Sequence, residues 1–275
     1  MSLESLANTP PWEWPRNAGD LLLQTLQARQ AAADDRLLAA ELAGDITVVN
    51  DRITDALLDI VNHPAEPAEM RSTAAIALGP ALEYADTMGF DDADDLLVTP
   101  AALQRIQEAL QRLHGDAEAP KDLRRAALEA SVRAPLNWHA EAIDQAYSGG
   151  DAAWRLTAVF CMRYIEGFDA QIIEALSSAD PDLRYEAVCA AGNWGVDAAW
   201  PHVAALLTSQ SVDKDLLLAA IDASVGIRPQ DAMEHLVALA DADDEDIAEA
   251  AQEAMVVAET PLDDEDLEDQ EDEDR

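Results

Sequence analysis

Apolar positions along the chain recur at helical spacing, and the segments that carry them recur in turn. The clearest reads Asp180-Pro181-Asp182-Leu183-Arg184-Tyr185-Glu186-Ala187-Val188-Cys189-Ala190-Ala191-Gly192. Asp180 is a good N-cap and Pro181 suits the first helical position. Leu183, Ala187, Val188 and Ala191 then share one helix face. The same frame, an Arg with Ala three residues later, reads Arg36/Ala39, Arg71/Ala74, Arg124/Ala127, Arg155/Ala158 and Arg184/Ala187. Leu217/Ala220 and Ala248/Ala251 keep the frame without the Arg, and the spacings are 35, 53, 31, 29, 33 and 31. Leu42-Ala43-Gly44 and Ala77-Leu78-Gly79 add a Gly of the kind that closes a helix. Between these helices the pattern predicts a second set near 18–30, 50–62, 100–113, 137–147, 168–178, 197–208 and 229–240. Helix pairs at a period near 31 predict an all-α chain, an α-solenoid of about seven helical pairs.

The frame Asp-x-Asp-x-Arg-x-x-Ala-x-x-Ala-Ala-Gly resembles HEAT repeats, particularly the short HEAT-like type of phycobilisome lyases, over residues 34–258. The resemblance implies an armadillo/HEAT-type superhelix whose Arg-anchored helices line the concave side. It also implies Asp–Arg bonds along the stack, fading toward the C-terminus where Leu217 and Ala248 replace the Arg. It implies no single function, because such folds host many.

Three segments follow from this reading. Residues 1–17, with Pro10-Pro11-Trp12-Glu13-Trp14-Pro15, form an extension expected to cap the first repeat. Residues 18–260 form the solenoid. Residues 261–275 hold ten acids and one Arg, and are expected to be a disordered tail. The 53-residue interval contains a break at 89–98, after which Thr99-Pro100 restarts a helix.

Charge narrows the partners. The chain carries 56 acidic and 17 basic residues, a net −39; the last fifteen residues supply −9, so −30 belongs to the body. Nucleic acid and anionic membrane surfaces are excluded, since both are held by Lys and Arg. Lys occurs only at Lys121 and Lys214, and Asp outnumbers Glu. This composition matches proteins of salt-adapted cytoplasm, with a GC-rich genome as the rival explanation. The N-terminus lacks a basic-then-apolar signal, no apolar run spans a bilayer, and two Cys make no disulfide scaffold. The expected location is cytoplasmic.

Candidate chemistry is sparse. Asp91, Asp92, Asp94 and Asp95 lack the Gly and Glu of a calcium loop. Deoxyhypusine hydroxylase, a HEAT-like enzyme, binds iron through repeated His-Glu pairs. Here His139 and Glu141 sit two apart, Glu234 adjoins His235, and no dipeptide repeats. His63 and His114 end apolar helices, where an imidazolium would favour the C-terminus. Cys161 and Cys189 have no His on their helices. No phosphate loop or nucleophile elbow occurs. Neither a cofactor nor a metal is expected.

One distribution points to a surface. Four of six Trp, three of four Tyr and two of three Phe lie between Trp138 and Trp200. Positions two, five and nine after each Arg should face away from the core. In the central repeats they read Ala126, Glu129, Arg133; Thr157, Phe160, Tyr164; and Glu186, Cys189, Asn193. Aromatic and Arg side chains are typical binding anchors. The expectation is a non-enzymatic scaffold that binds a protein partner, one with a basic surface, along this stripe. The alternative is a HEAT-like enzyme or enzyme subunit, of chromophore-lyase or metal-hydroxylase type. A HEAT-like DNA glycosylase would need a basic groove that this composition denies.

Overall fold

The computed structural model describes residues 2–88, 97–209 and 211–259. The acidic loop at 91–95 and the tail from 261 lie outside the described residues. All regular structure among the described residues is helical, and the chain divides into two compact units, Met1–Ile165 and Glu166–Arg275.

The first unit contains α1 (Leu3–Ala7), α2 (Ala18–Gln27), α3 (Ala33–Ala43), α4 (Asp51–Asn62), α5 (Ala68–Ile76), α6 (Gly79–Met88), α7 (Pro100–Gly115), α8 (Lys121–Ser131), α9 (His139–Ser148) and α10 (Ala152–Cys161). Helices α2 and α3, α4 and α5, α7 and α8, and α9 and α10 pack as pairs. The Arg-anchored helices α3, α5, α8 and α10 stack on one another in one layer, and α2, α4 and α7 in the other. The second unit contains α11 (Asp169–Leu176), α12 (Pro181–Asn193), α13 (Trp200–Leu207), α14 (Lys214–Ile227), α15 (Pro229–Leu239) and α16 (Glu245–Glu259). Its pairs are α11/α12, α13/α14 and α15/α16, with α12, α14 and α16 forming the anchored layer.

Local chemistry sets the helix starts. Asn50, Thr99, Asp151, Asp180 and Asp213 each accept backbone N–H bonds at an N-cap, and Pro100 and Pro181 occupy the following position. Between the layers, Leu22, Leu26, Leu57, Leu103, Ile106, Leu110 and Leu123 are fully buried. At the N-terminus α1 packs on α3, and Leu6 is buried beneath it.

The structure changes three details. Gly79 does not end a helix: it is the first residue of α6, which the Gly-Pro pair conceals because Pro is tolerated in a first turn that needs no N–H. The glycines that do sit at anchored-helix ends are there for close approach. A Cβ on Gly44 would stand 2.9 Å from the Ala77 backbone, and one on Gly192 would stand 2.6 Å from Ala223 Cα.

Of the anchor Arg residues, Arg36 does bond an acid along the stack, but that acid is Glu66 and not an Asp, at 2.8 and 2.9 Å. Three anchors reach back ten residues to a carbonyl at the end of the preceding helix: Arg71 Nε to Val61 O at 2.9 Å, Arg124 Nε to His114 O at 2.9 Å, and Arg36 Nη2 to Leu26 O at 3.4 Å. A cation there satisfies carbonyls that have no intrahelical donor. Further inter-repeat ion pairs persist to the C-terminal end. Both lysines open an anchored helix and reach an acid thirty residues on, Lys121 to Asp151 at 3.1 Å and Lys214 to Asp244 at 2.7 Å. Arg52–Asp20 and Arg105–Asp55 join the other layer.

Candidate functional site

The candidate site lies on the anchored layer of the first unit. At its centre Arg133, just beyond α8, forms an ion pair with Glu83 of α6. Its guanidinium stands 5.7 Å from the ring centres of both Phe160 and Tyr164. Arg163 approaches Phe160 at 5.6 Å, and the two rings are 5.7 Å apart, tilted at 52°. Phe160 and Tyr164 are half-buried, and burial pushes the Tyr164 phenol above its ordinary pKa, so it stays protonated. Gly79 makes room for this arrangement, since a Cβ there would meet Arg133 Cδ at 2.7 Å. Cation–aromatic contacts hold the four side chains as one patch.

Next to it runs a groove of about 610 Å³ that shares Arg133 with the patch. Leu42, Ile76, Ala77 and Pro80 line it, with Trp14 and Pro11 on one side and Glu41 and Asp45 at the rim. Glu41 and Asp45 lie five and nine residues after Arg36, and Ile76 and Pro80 lie five and nine after Arg71. The groove is therefore the same stripe continued toward the N-terminus. Trp14 is fixed there by bonds from Nε1 to Thr9 O at 2.8 Å and Leu6 O at 3.1 Å, whereas Trp12 is 79% exposed.

The nine residues that the stripe rule selects are not equivalent, and Ala126 is buried in the core. Arg133, Phe160 and Tyr164 come together. Glu129 lies half-buried beside them in sequence but turns to Thr157, which donates to its Oε1 at 2.6 Å. The rule places Thr157 on the contact surface; the structure buries it completely, because α8 packs over it and Arg125 Nε donates to its hydroxyl at 2.8 Å. Thr157 joins α10 to α8. Glu186 and Cys189 are half-buried and Asn193 is exposed, all on α12 of the second unit. The rule missed Glu83 and Arg163, which lie outside its offsets.

Some of the aromatic residues between 138 and 200 belong to an internal cluster. Trp138 stacks on His139 at 3.9 Å and approaches His114 at 5.4 Å, while Trp154 meets His114 edge-on at 5.8 Å. Burial lowers the pKa of His114, so it sits there as neutral imidazole and not as a helix-capping cation. Among the described residues, no group of three His, Cys, Asp or Glu side chains gathers as metal ligands, and no helix is long and apolar enough to cross a membrane.

Tandem helix pairs with a recurring Arg frame define the class as an α-solenoid. The family model for HEAT repeats matches residues 170–256, so the helix pairs of that stretch are HEAT repeats. No curated protein matches the chain. Among solved structures it is similar to the YibA protein of E. coli at 16% identity, covering 92% of this chain and 85% of that one, with a TM-score of 0.47. Human deoxyhypusine hydroxylase is similar at 16% identity, 94% and 96% coverage and a TM-score of 0.42. A designed armadillo repeat protein is similar at 14% identity, 86% and 98% coverage and a TM-score of 0.34.

Proposed function

We propose that this protein is a non-enzymatic scaffold that binds a protein partner on the exposed side of its anchored layer. The observation that carries the reading is the Glu83–Arg133–Phe160–Tyr164 patch. Two rings and a guanidinium are held against one another before any partner arrives, so little ordering entropy remains to be lost on binding. Aromatic and Arg side chains of this kind dominate interface energies. The acidic body would steer partners with basic surfaces toward the patch, raising the association rate more than the affinity.

The test is affinity capture from the source cells with wild-type protein and with Phe160→Ala plus Tyr164→Ala. The double variant is expected to lose the captured partner while keeping its helical circular dichroism. Retention of the partner by a folded double variant would remove the patch from the interface. Unfolding of the variant would show that the rings are core.

A further inference from the structure

We propose that the groove beside the patch is a peptide slot for a short segment bearing one large apolar side chain flanked by Lys or Arg. This rests on the reading of the same face as the binding surface and adds the chemistry of the occupant. The floor is apolar and low. Gly44 and Ala77 meet there backbone to backbone, so no side chain stands between the two backbones at that point. Leu42, Ile76 and Pro80 rise around it, and the doubly bonded Trp14 ring forms a fixed wall. Ile76 is 39% exposed, apolar area left in water that an apolar side chain would cover.

The rim selects the charge. Among the described residues, no cation pairs with Glu41 or with Asp45, whose Oδ1 accepts only from the Thr47 backbone and hydroxyl. The one groove cation, Arg133, is already neutralised by Glu83. An anchor seated on Ile76 would thus have carboxylates within reach of a flanking Lys or Arg. The net charge of −39 favours the same occupant and repels an acidic segment or a second copy of this chain.

The probe is a fluorescein-labelled peptide of about ten residues, long enough to cross the groove when extended. It has a central Trp between pairs of Lys, and its anisotropy is read with the full chain at about 0.15 M salt. Saturable binding is expected. Affinity should fall about tenfold when Ala replaces the Trp or with Ile76→Gln, and several-fold with Glu41→Gln. A peptide with Glu for Lys should not bind. Equal affinity for the Ala peptide, or no effect of Ile76→Gln, would mean attraction by charge alone and would overturn the slot, as would absence of saturable binding. If the slot fails while Phe160→Ala plus Tyr164→Ala still abolishes partner capture, the scaffold reading stands without it. Failure of both experiments would remove both readings.

Discussion

Burial and two hydrogen bonds fix the state of His139. Leu136 N–H donates to its Nδ1 at 2.8 Å, so the proton sits on Nε2, which lies 3.0 Å from Ser131 Oγ. The ring is fully buried, and that burial pushes its pKa down to about 4. The sign of the consequence follows from proton uptake. Between the ordinary value near 6.5 and about 4, the unfolded chain binds a proton that the folded chain does not. Stability from this residue is complete above about pH 6.5 and is lost as pH falls toward 4, by about 3 kcal/mol at most. Urea unfolding of wild type and His139→Asn across this range should show a steeper acid loss in the wild type. Parallel curves would mean that the imidazole titrates normally. From sequence His139 reads only as one half of a non-repeating His/Glu pair. Glu141 in fact accepts from Gln145 one helix turn on, and no pattern along the chain reports that Trp138 will cover the imidazole. The offsets from Arg, in contrast, pick out Arg133, Phe160 and Tyr164: helix spacing places Phe160 on α10, and Arg133 and Tyr164 follow in the turns that close α8 and α10.

The seven predicted pairs coincide with the seven observed ones because the signals are local to each element: an N-cap, an apolar face and a closing turn. Helix α6 escapes this reading. Gly79-Pro80 reads as a stop, and its face shows only Ala81, Leu82 and Ala85 buried. Without α6 there is no Glu83 to hold Arg133, so the acid that fixes the patch is not legible in the sequence. The anchor Arg residues also differ at this scale. Arg36 makes a bidentate pair with Glu66 at 2.8 and 2.9 Å as well as reaching Leu26 O, thereby tying the end of α2 to the turn before α5. Arg36 pulls the Glu66 carboxyl below its usual pKa. Arg71 makes one bond to a carbonyl. Arg36→Met, which strands a nearly buried carboxylate, should cost about 3 kcal/mol. Arg71→Met should cost about 1 kcal/mol. Denaturant titration of both variants checks the difference, and equal losses would show that Glu66 is well solvated without its partner.

At the scale of the whole molecule, charge governs more than any single contact. Self-similarity makes the repeat legible, but the period runs unbroken across Arg155 and Arg184, so nothing in it marks the division at Ile165. Seventeen cations face 56 acids, so ion pairing leaves most carboxylates uncompensated. The pairs that do form lie mostly at the surface, as with Arg52–Asp20, where both side chains are 72% exposed, and such pairs contribute little. Salt therefore screens two unequal sums. It weakens a few exposed attractions, and it shortens the reach of a much larger set of repulsions, from about 8 Å at physiological ionic strength to about 3 Å at 1 M. Repulsion is greatest in the compact state, so screening favours folding. The melting midpoint should rise by a few degrees as KCl increases toward 1 M, and burial of the apolar core should be unaffected by the screening itself. A fall in the midpoint would show that the lysine and arginine links between repeats outweigh the acidic body. The same titration bears on the two proposed binding surfaces. A basic segment at Glu41 and Asp45 should weaken as salt rises, whereas contact with Phe160 and Tyr164 should hold, because apolar burial is not an ionic interaction.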